Sequence, residues 1–462
     1  MGQETILNVL KCMPDDLWEI TEIGDDLETF NIRLLRAVTT KDWERALFYL
    51  HRVKFFSAGG LQDADFLETL SLCPPGQFFF PMLEVLHWYP EPVEAFHHLL
   101  LFLTPSIKDI TLGGIQTISH LSILSTLPDR CPALIKVAIY IHGVGDLALP
   151  TISTLVPRLQ RLESLVVPGL DEIAFAHIAR LPCLKSLRLN FESPWQLPGE
   201  VSGFEALTEL IGPTLESSAA LIAMVPNRPF LSITVRPHSL PPTDIMSRQF
   251  YSAVGKHCAH SSLREITVCG TYPNPDIPSD QIEMYSVGLD ILSPLLSFPN
   301  LVRVDLVHPT GFDLDDIAVL RIARAWPRVE LVWLKALNST ELRSRVTLEG
   351  LYAFARFCPS LRRLAVTFDA TVVPQRRDSA NKERVAQSCL TSLDVALSHV
   401  THPHQTAQFL STIFPRLAII STSYEELLRS QPPDEIDELD LEPEVVSCHS
   451  LWKQVEELLL QC

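Results

Sequence analysis

One short hydrophobic phrase recurs along the chain. A turn, often carrying proline, is followed by three apolar positions spaced L-x-x-L-x-L. The clearest copies are CPALIKVAI (Leu134, Val137, Ile139), PCLKSLRL (Leu184, Leu187, Leu189), FPNLVRVDL (Leu301, Val304, Leu306) and CPSLRRLAV (Leu361, Leu364, Val366). Weaker copies place their first anchors at Leu83, Ile107, Leu162, Leu207, Phe230, Leu263, Val329, Leu390 and Leu417. The last two anchors of each copy alternate with other residues, which is the period of a half-buried strand. Between copies lie stretches such as LEGLYAFARFCPSL, where Leu348, Leu351, Phe354 and Ala355 recur at helical spacing. Proline then ends the helix before the next strand begins.

Thirteen such units run from Leu83 to Leu417 at a mean spacing of about 28 residues, within the range of leucine-rich repeats. One strand and one helix cannot bury their apolar faces alone, so the units are expected to stack. The predicted fold is α/β: a leucine-rich-repeat solenoid over 71–425, with an inner parallel sheet and outer helices. The asparagine or cysteine that usually follows the last leucine of the motif is mostly missing.

Residues 1–70 read as a helical N-terminal cap. Asp42-Trp43-Glu44-Arg45-Ala46-Leu47-Phe48-Tyr49-Leu50 follows Thr39-Thr40, with apolar residues at helical spacing. Residues 426–447 form an acidic linker, and 448–462 an amphipathic helix with Leu451, Trp452, Val455, Leu458 and Leu459 on one broad face. That helix is expected to dock as a C-terminal cap.

Composition narrows the function. Apolar content of 47% with 20% charged residues fits a folded globular chain. A net charge of -18 argues against nucleic acid and anionic membranes as partners. No apolar run approaches a membrane span, and MGQETILNVL lacks the pattern of a secretory signal. Ten cysteines without a CxxC pair suggest buried thiols in a reducing compartment, hence an intracellular protein, cytoplasmic or nuclear.

No P-loop, G-x-G-x-x-G, G-x-S-x-G or H-E-x-x-H motif occurs. His97-His98 and His402-Pro403-His404 lack the spaced companions of a metal site. The expectation is therefore a protein that is not an enzyme, with no cofactor and no metal.

If the anchors are correct, residues two, four and six positions past each first anchor face the concave side. Those expected to contact a protein partner are Tyr140, Arg188, Asn190, Arg236, Arg303, Asp305, Trp333, Lys335 and Arg363. Arginine and the aromatics Trp and Tyr dominate interaction hot spots. A second feature is a basic stretch from Lys335 to Arg384, with ten basic residues against five acidic ones. Its candidate patch comprises Arg343, Arg345, Arg362, Arg376 and Arg377. A solvated loop and a site for an acidic partner both fit it. The acidic segment 434–444 is a competing occupant within the chain.

The strings MPDDLWEI, TTKDWERALFYLHRV and FPMLEVLHW, with LWKQVEELL near the end, resemble fungal F-box/leucine-rich-repeat proteins. The resemblance implies a substrate-recognition role in an SCF-type ubiquitin ligase, with the repeats holding the substrate. It also implies the cullin-ligase adaptor as a partner of the F-box. Here Pro14-Asp15-Asp16-Leu17-Trp18 matches only the opening of an F-box, and the residues after Trp18 read as a linker helix. A free-standing leucine-rich-repeat scaffold is the competing expectation.

Overall fold

The structure, a computed structural model, describes residues 8–22, 30–58, 64–74, 76–90, 93–141, 144–190, 203–237, 241–270, 277–278, 281–336, 344–374, 385–425 and 443–461. It is a mixed α/β fold with extensive parallel sheet, divided into two compact units, Met1–Leu207 and Thr208–Cys462.

The first unit opens with an antiparallel pair, β1 (Trp18–Glu22) and β2 (Phe30–Leu34), with Trp18 opposite Leu34. Helix α1 (Glu44–Leu50), strand β3 (Phe55–Ser57) and helix α2 (Ala64–Leu72) follow. Then come β4 (Val85–Trp88), β5 (Asp109–Ile115), α3 (Ile118–Leu124), β6 (Lys136–Ile141), α4 (Gly145–Leu155), β7 (Ser164–Val167), α5 (Glu172–Ala179) and β8 (Ser186–Leu189). Strands β3 to β8 pair in parallel in chain order. The stretch 1–70 is therefore not the helical cap expected. Trp-Glu-Ile-Thr-Glu alternates with period two and pairs as a hairpin, and the parallel sheet already begins at Phe55.

The second unit contains β9 (Glu209–Gly212), α6 (Leu215–Met224), β10 (Ser232–Val235), α7 (Asp244–His257), β11 (Glu265–Val268), β12 (Val287–Gly288), β13 (Arg303–His308) and β14 (Phe312–Asp313). It continues with α8 (Asp316–Ala325), β15 (Leu331–Ala336), α9 (Leu348–Phe357), β16 (Arg363–Val366), β17 (Ser392–Asp394), α10 (Pro403–Ile413), β18 (Ile419–Ser421) and α11 (Pro443–Leu459). Here β9, β10, β11, β13, β15, β16, β17 and β18 pair in parallel in that order, while β12 and β14 form a small separate pair.

Every strand from β4 onward in these parallel sheets begins two residues after one of the thirteen anchors, and all thirteen anchors are buried. A recurring backbone pattern fixes this register. One carbonyl before most strands accepts two successive N–H groups from the next repeat: Glu84 from Lys108 and Asp109, and Val302 from Glu330 and Leu331. Helices begin on side-chain caps, with Asp171 accepting from Ala174 N–H at 2.8 Å and Asp315 from Ala318 N–H at 2.8 Å. Helices α8, α9 and α10 end at Trp326, Cys358 and Phe414, each followed by proline. Burial pushes the Cys131 and Cys358 thiols up to about 12, so both act as small apolar side chains. No disulfide joins the nine described cysteines.

Both ends are tied down. Trp43 donates its indole N–H to the Cys73 carbonyl at 3.0 Å and stands edge-on to Phe79 at 5.6 Å. Arg36 bridges Asp16 (2.8 Å) and Asp42 (2.9 Å), and it holds the Asp42 carboxyl below the usual carboxylate range. The residues expected to open a linker helix thus lead into a fastened hairpin instead. At the other end α11 begins at Pro443, ahead of the expected 448, and buries Trp452 and Val455 in the second unit. Residues 426–442 of the acidic linker lie outside the described residues.

Two buried histidines give the fold an acid-labile element. His98 lies 2.7 Å from the Ser71 hydroxyl and is pushed down to about 4 by burial and by neighbouring His97. His308, fully buried against the Tyr251 hydroxyl at 2.8 Å, is pushed down to about 3 by burial. Both are neutral in the folded state, whereas unfolded histidines take a proton near pH 6.5. Stability from this source is complete above about pH 6.5 and falls as pH drops toward the folded-state values, because the unfolded chain then binds more protons. At pH 5 the expected loss is about 2 kcal/mol per histidine. Urea midpoints at pH 7.5 and pH 5 measure it, and His308→Gln should shrink the difference. An unchanged midpoint would show that these rings do not titrate with unfolding.

Candidate sheet-face binding surface

Alternation along each strand divides the side chains between two faces. Leu86, Ile110, Val137, Ile139, Leu165 and Leu187 point into the core with the helices. The residues between them form the second face, where side chains are half-buried or exposed.

In the first unit this face carries an aromatic band that ends at an arginine. The Phe55 ring meets His87 edge-on at 5.2 Å, and His87 meets Tyr89 at 6.5 Å. Tyr89, which is 38% exposed, packs its ring edge against Gly113 of β5. Its Cδ1 would stand 2.3 Å from a Cβ at Gly113, so only glycine admits the ring there. The pairing of β5 with β6 shifts register between Leu112 and Ile115, around Gly113 and Gly114. Burial raises the Tyr89 phenol, helped by Tyr140 and Asp109 and opposed by its hydrogen bond with Thr111. The Arg188 guanidinium lies 5.7 Å from the Tyr140 ring centroid, and its Nε donates to Asn190 Oδ1 at 2.9 Å. Tyr140, Arg188 and Asn190, all expected at this face from the sequence, are thus brought together.

Below this band, charges pair across the strand starts. Glu84 accepts from both Lys54 and Lys108 at 2.8 Å, Lys185 reaches Glu163 at 2.8 Å, and Lys136 stands 3.9 Å from Asp109. These pairs are exposed and contribute little energy each. They neutralise the lysines nearest the band and leave Arg188 as its unneutralised cation among the described residues.

The face of the second unit is built differently. Arg236, Arg303 and Asp305 surround Cys269, whose thiol burial pushes up. Arg303 pairs with Asp305 on its own strand at 2.8 Å. Trp333 is half-buried, in register with Asp305 on one side and Ala365 on the other. Arg363 is exposed one row away.

Lys335 requires a correction. It was expected to reach a partner, but it is only 4% exposed, pairs with Asp394 at 2.9 Å and holds its Nζ 5.1 Å from the Trp333 ring. The acid that neutralises it lies 59 residues along the chain and comes alongside only through strand stacking. The two described arginines of the basic patch are also paired, but at the surface, where each side chain stays exposed. Arg345 binds Asp313 at 2.7 Å and Arg362 lies 3.7 Å from Glu330, each an acid of the preceding repeat. Arg343, Arg376 and Arg377 lie outside the described residues, as does the acidic segment apart from its last two residues, whose side chains are likewise not described.

The residues that sequence reasoning missed are Phe55, His87 and Tyr89. Counting four and six positions past Leu83 reaches His87 and Tyr89, so the signal was present. Phe55 precedes the first anchor and gave none. Among the described residues no cluster of three or more His, Cys, Asp or Glu is arranged to hold a metal, and no helix is long and apolar enough to cross a membrane. Comparison with protein-family models gives no match, and comparison with curated proteins gives none either.

Proposed function

We propose that this chain is a non-enzymatic leucine-rich-repeat solenoid whose helix-free sheet face binds another protein inside the cell. The observation that carries the reading is the band of Tyr89, Tyr140, Arg188 and Asn190 on the first unit's sheet face. Its tyrosines and arginine are of the residue types that dominate hot spots, and they are held in place before a partner arrives, by Gly113 beside the Tyr89 ring and by Asn190 beside Arg188. The regular two-residue offset between anchors and strands supports the repeat assignment. Proteins captured by the full chain from cells that encode it should fall at least tenfold with Arg188→Ala. The exposed helix-layer variant Ile173→Ser should leave capture unchanged. Equal capture by both variants would sink the reading.

Within it, the resemblance to F-box/leucine-rich-repeat proteins favours a substrate-receptor role in an SCF-type ubiquitin ligase. The rival is a free-standing scaffold, favoured by the N-terminal hairpin. There Leu17 is fully buried and Asp16 is engaged by Arg36, so the F-box-like opening is packed into its own unit. A pull-down of the full chain with purified cullin-ligase adaptor separates the two. Retention on the adaptor supports the receptor, and absence of retention supports the scaffold.

A further inference from the structure

We propose that the first unit's sheet face seats an extended segment of a partner protein, with one aspartate or glutamate carboxylate on Arg188 and apolar side chains along Tyr140, Tyr89 and Phe55. The inference rests on the protein-binding reading above and specifies its chemistry.

Arg188 carries the argument. Its Nε is occupied by Asn190 at 2.9 Å and its plane is held near the Tyr140 ring, so the side chain is oriented. Neither Nη has a hydrogen-bond partner among the described residues. An oriented guanidinium with an open edge matches a planar carboxylate, which takes two parallel N–H donors. The charge count favours a carboxylate over a phosphate. A phosphate brings nearly two negative charges, and among the described residues this face offers one uncompensated arginine, the strand-start lysines Lys136 and Lys185 already standing beside Asp109 and Glu163.

The rest of the band sets the length and polarity of the segment. From β8 to β3 there are five strand spacings, or about 24 Å at 4.8 Å each. A fully extended peptide covers that with about seven residues at 3.3 Å each. Beyond Tyr140 the band presents Tyr89 and Phe55, 38% and 37% exposed, with His87 between them. Half-exposed rings of this kind offer a large apolar area to a partner's apolar side chains. A carboxylate at one end and apolar residues toward the other is the pattern that fits.

The test is selection of binders to the full-length chain from a random dodecapeptide display library, followed by titration of the enriched peptides. Enriched sequences should share one acidic residue next to apolar ones. Arg188→Ala and Arg188→Gln should each weaken them at least tenfold, as should replacing the peptide's acid by its amide. Combining the two changes should cost little more than either alone. Gly113→Ala, which evicts the Tyr89 ring, should weaken the same peptides. Peptides lost with Gly113→Ala but indifferent to Arg188→Gln would overturn the carboxylate seat and leave the binding face standing. A phosphoserine in place of the acid that tightens binding tenfold would overturn the choice of carboxylate. A selection that yields no peptide sensitive to any of these substitutions would overturn both the seat and the face.

Discussion

Lys335→Ala should destabilise the protein by about 3–5 kcal/mol, the usual cost of removing one partner from a buried ion pair. The side chains of Lys335 and Asp394 are 5% and 8% exposed and meet at 2.9 Å, so the substitution leaves a buried carboxylate without its ammonium. Asp394 also accepts the Ala396 N–H at 2.9 Å, holding a non-glycine residue at φ 49°, so its orientation is fixed from two sides. Lys335→Met with Asp394→Leu should recover most of the loss, because paired replacement by apolar groups avoids the desolvation of both charges. The shortfall should reflect the lost hydrogen bond to Ala396, about 1 kcal/mol. Urea denaturation of the parent and these two variants measures this. A Lys335→Ala variant within about 1 kcal/mol of the parent would contradict the account, since an exposed pair has that small effect.

The second large effect lies at the C-terminal edge of the second unit. Strand β18 pairs on one side with β17, and the backbone of Ile420 points outward on the other. Helix α11 satisfies both of its groups. The Ile420 N–H donates to Glu456 Oε1 at 2.7 Å, and its carbonyl accepts from Lys453 Nζ at 3.0 Å. Trp452 anchors the helix, donating to the Ser398 carbonyl at 2.7 Å and standing edge-on to Phe368 at 5.7 Å. Trp452→Ala should cost about 3–5 kcal/mol through the cavity it leaves. Deleting 443–462 should uncover an edge strand and convert the protein to concentration-dependent oligomers, because an open edge templates pairing. Sedimentation velocity over a range of concentrations reads the second effect. A truncated chain that stays at the parent's sedimentation coefficient would show that β18 needs no cover.

How much of this was legible in the sequence depends on the distance over which each signal acts. The strands of the parallel sheets were legible because anchor and alternation are local: Leu184, Leu187 and Leu189 are buried, and Arg188 falls between them on the other face. The C-terminal cap was legible from the apolar face around Trp452, although its two polar contacts to Ile420 were not. The N-terminal hairpin was hidden because Leu17-Trp18 followed by Ile20 fits a helix about as well as a strand, and pairing with Phe30–Leu34 decides the matter. The pairing of Lys335 was illegible in principle. Its partner is set by how two strands stack, and a count of charges along the chain cannot see that Asp394, Asp313 and Glu330 stand beside the bases they neutralise.

The most direct test of the sheet face as the working surface is hydroxyl-radical footprinting of the full chain with and without a captured protein partner. Tyr89, Tyr140 and His87 should lose reactivity on binding, while Ile173 and Leu147, exposed on the helix layer at 72% and 57%, should keep theirs. Protection of the helix-layer residues with unchanged reactivity at the tyrosines would place the interface on the opposite face and contradict the account.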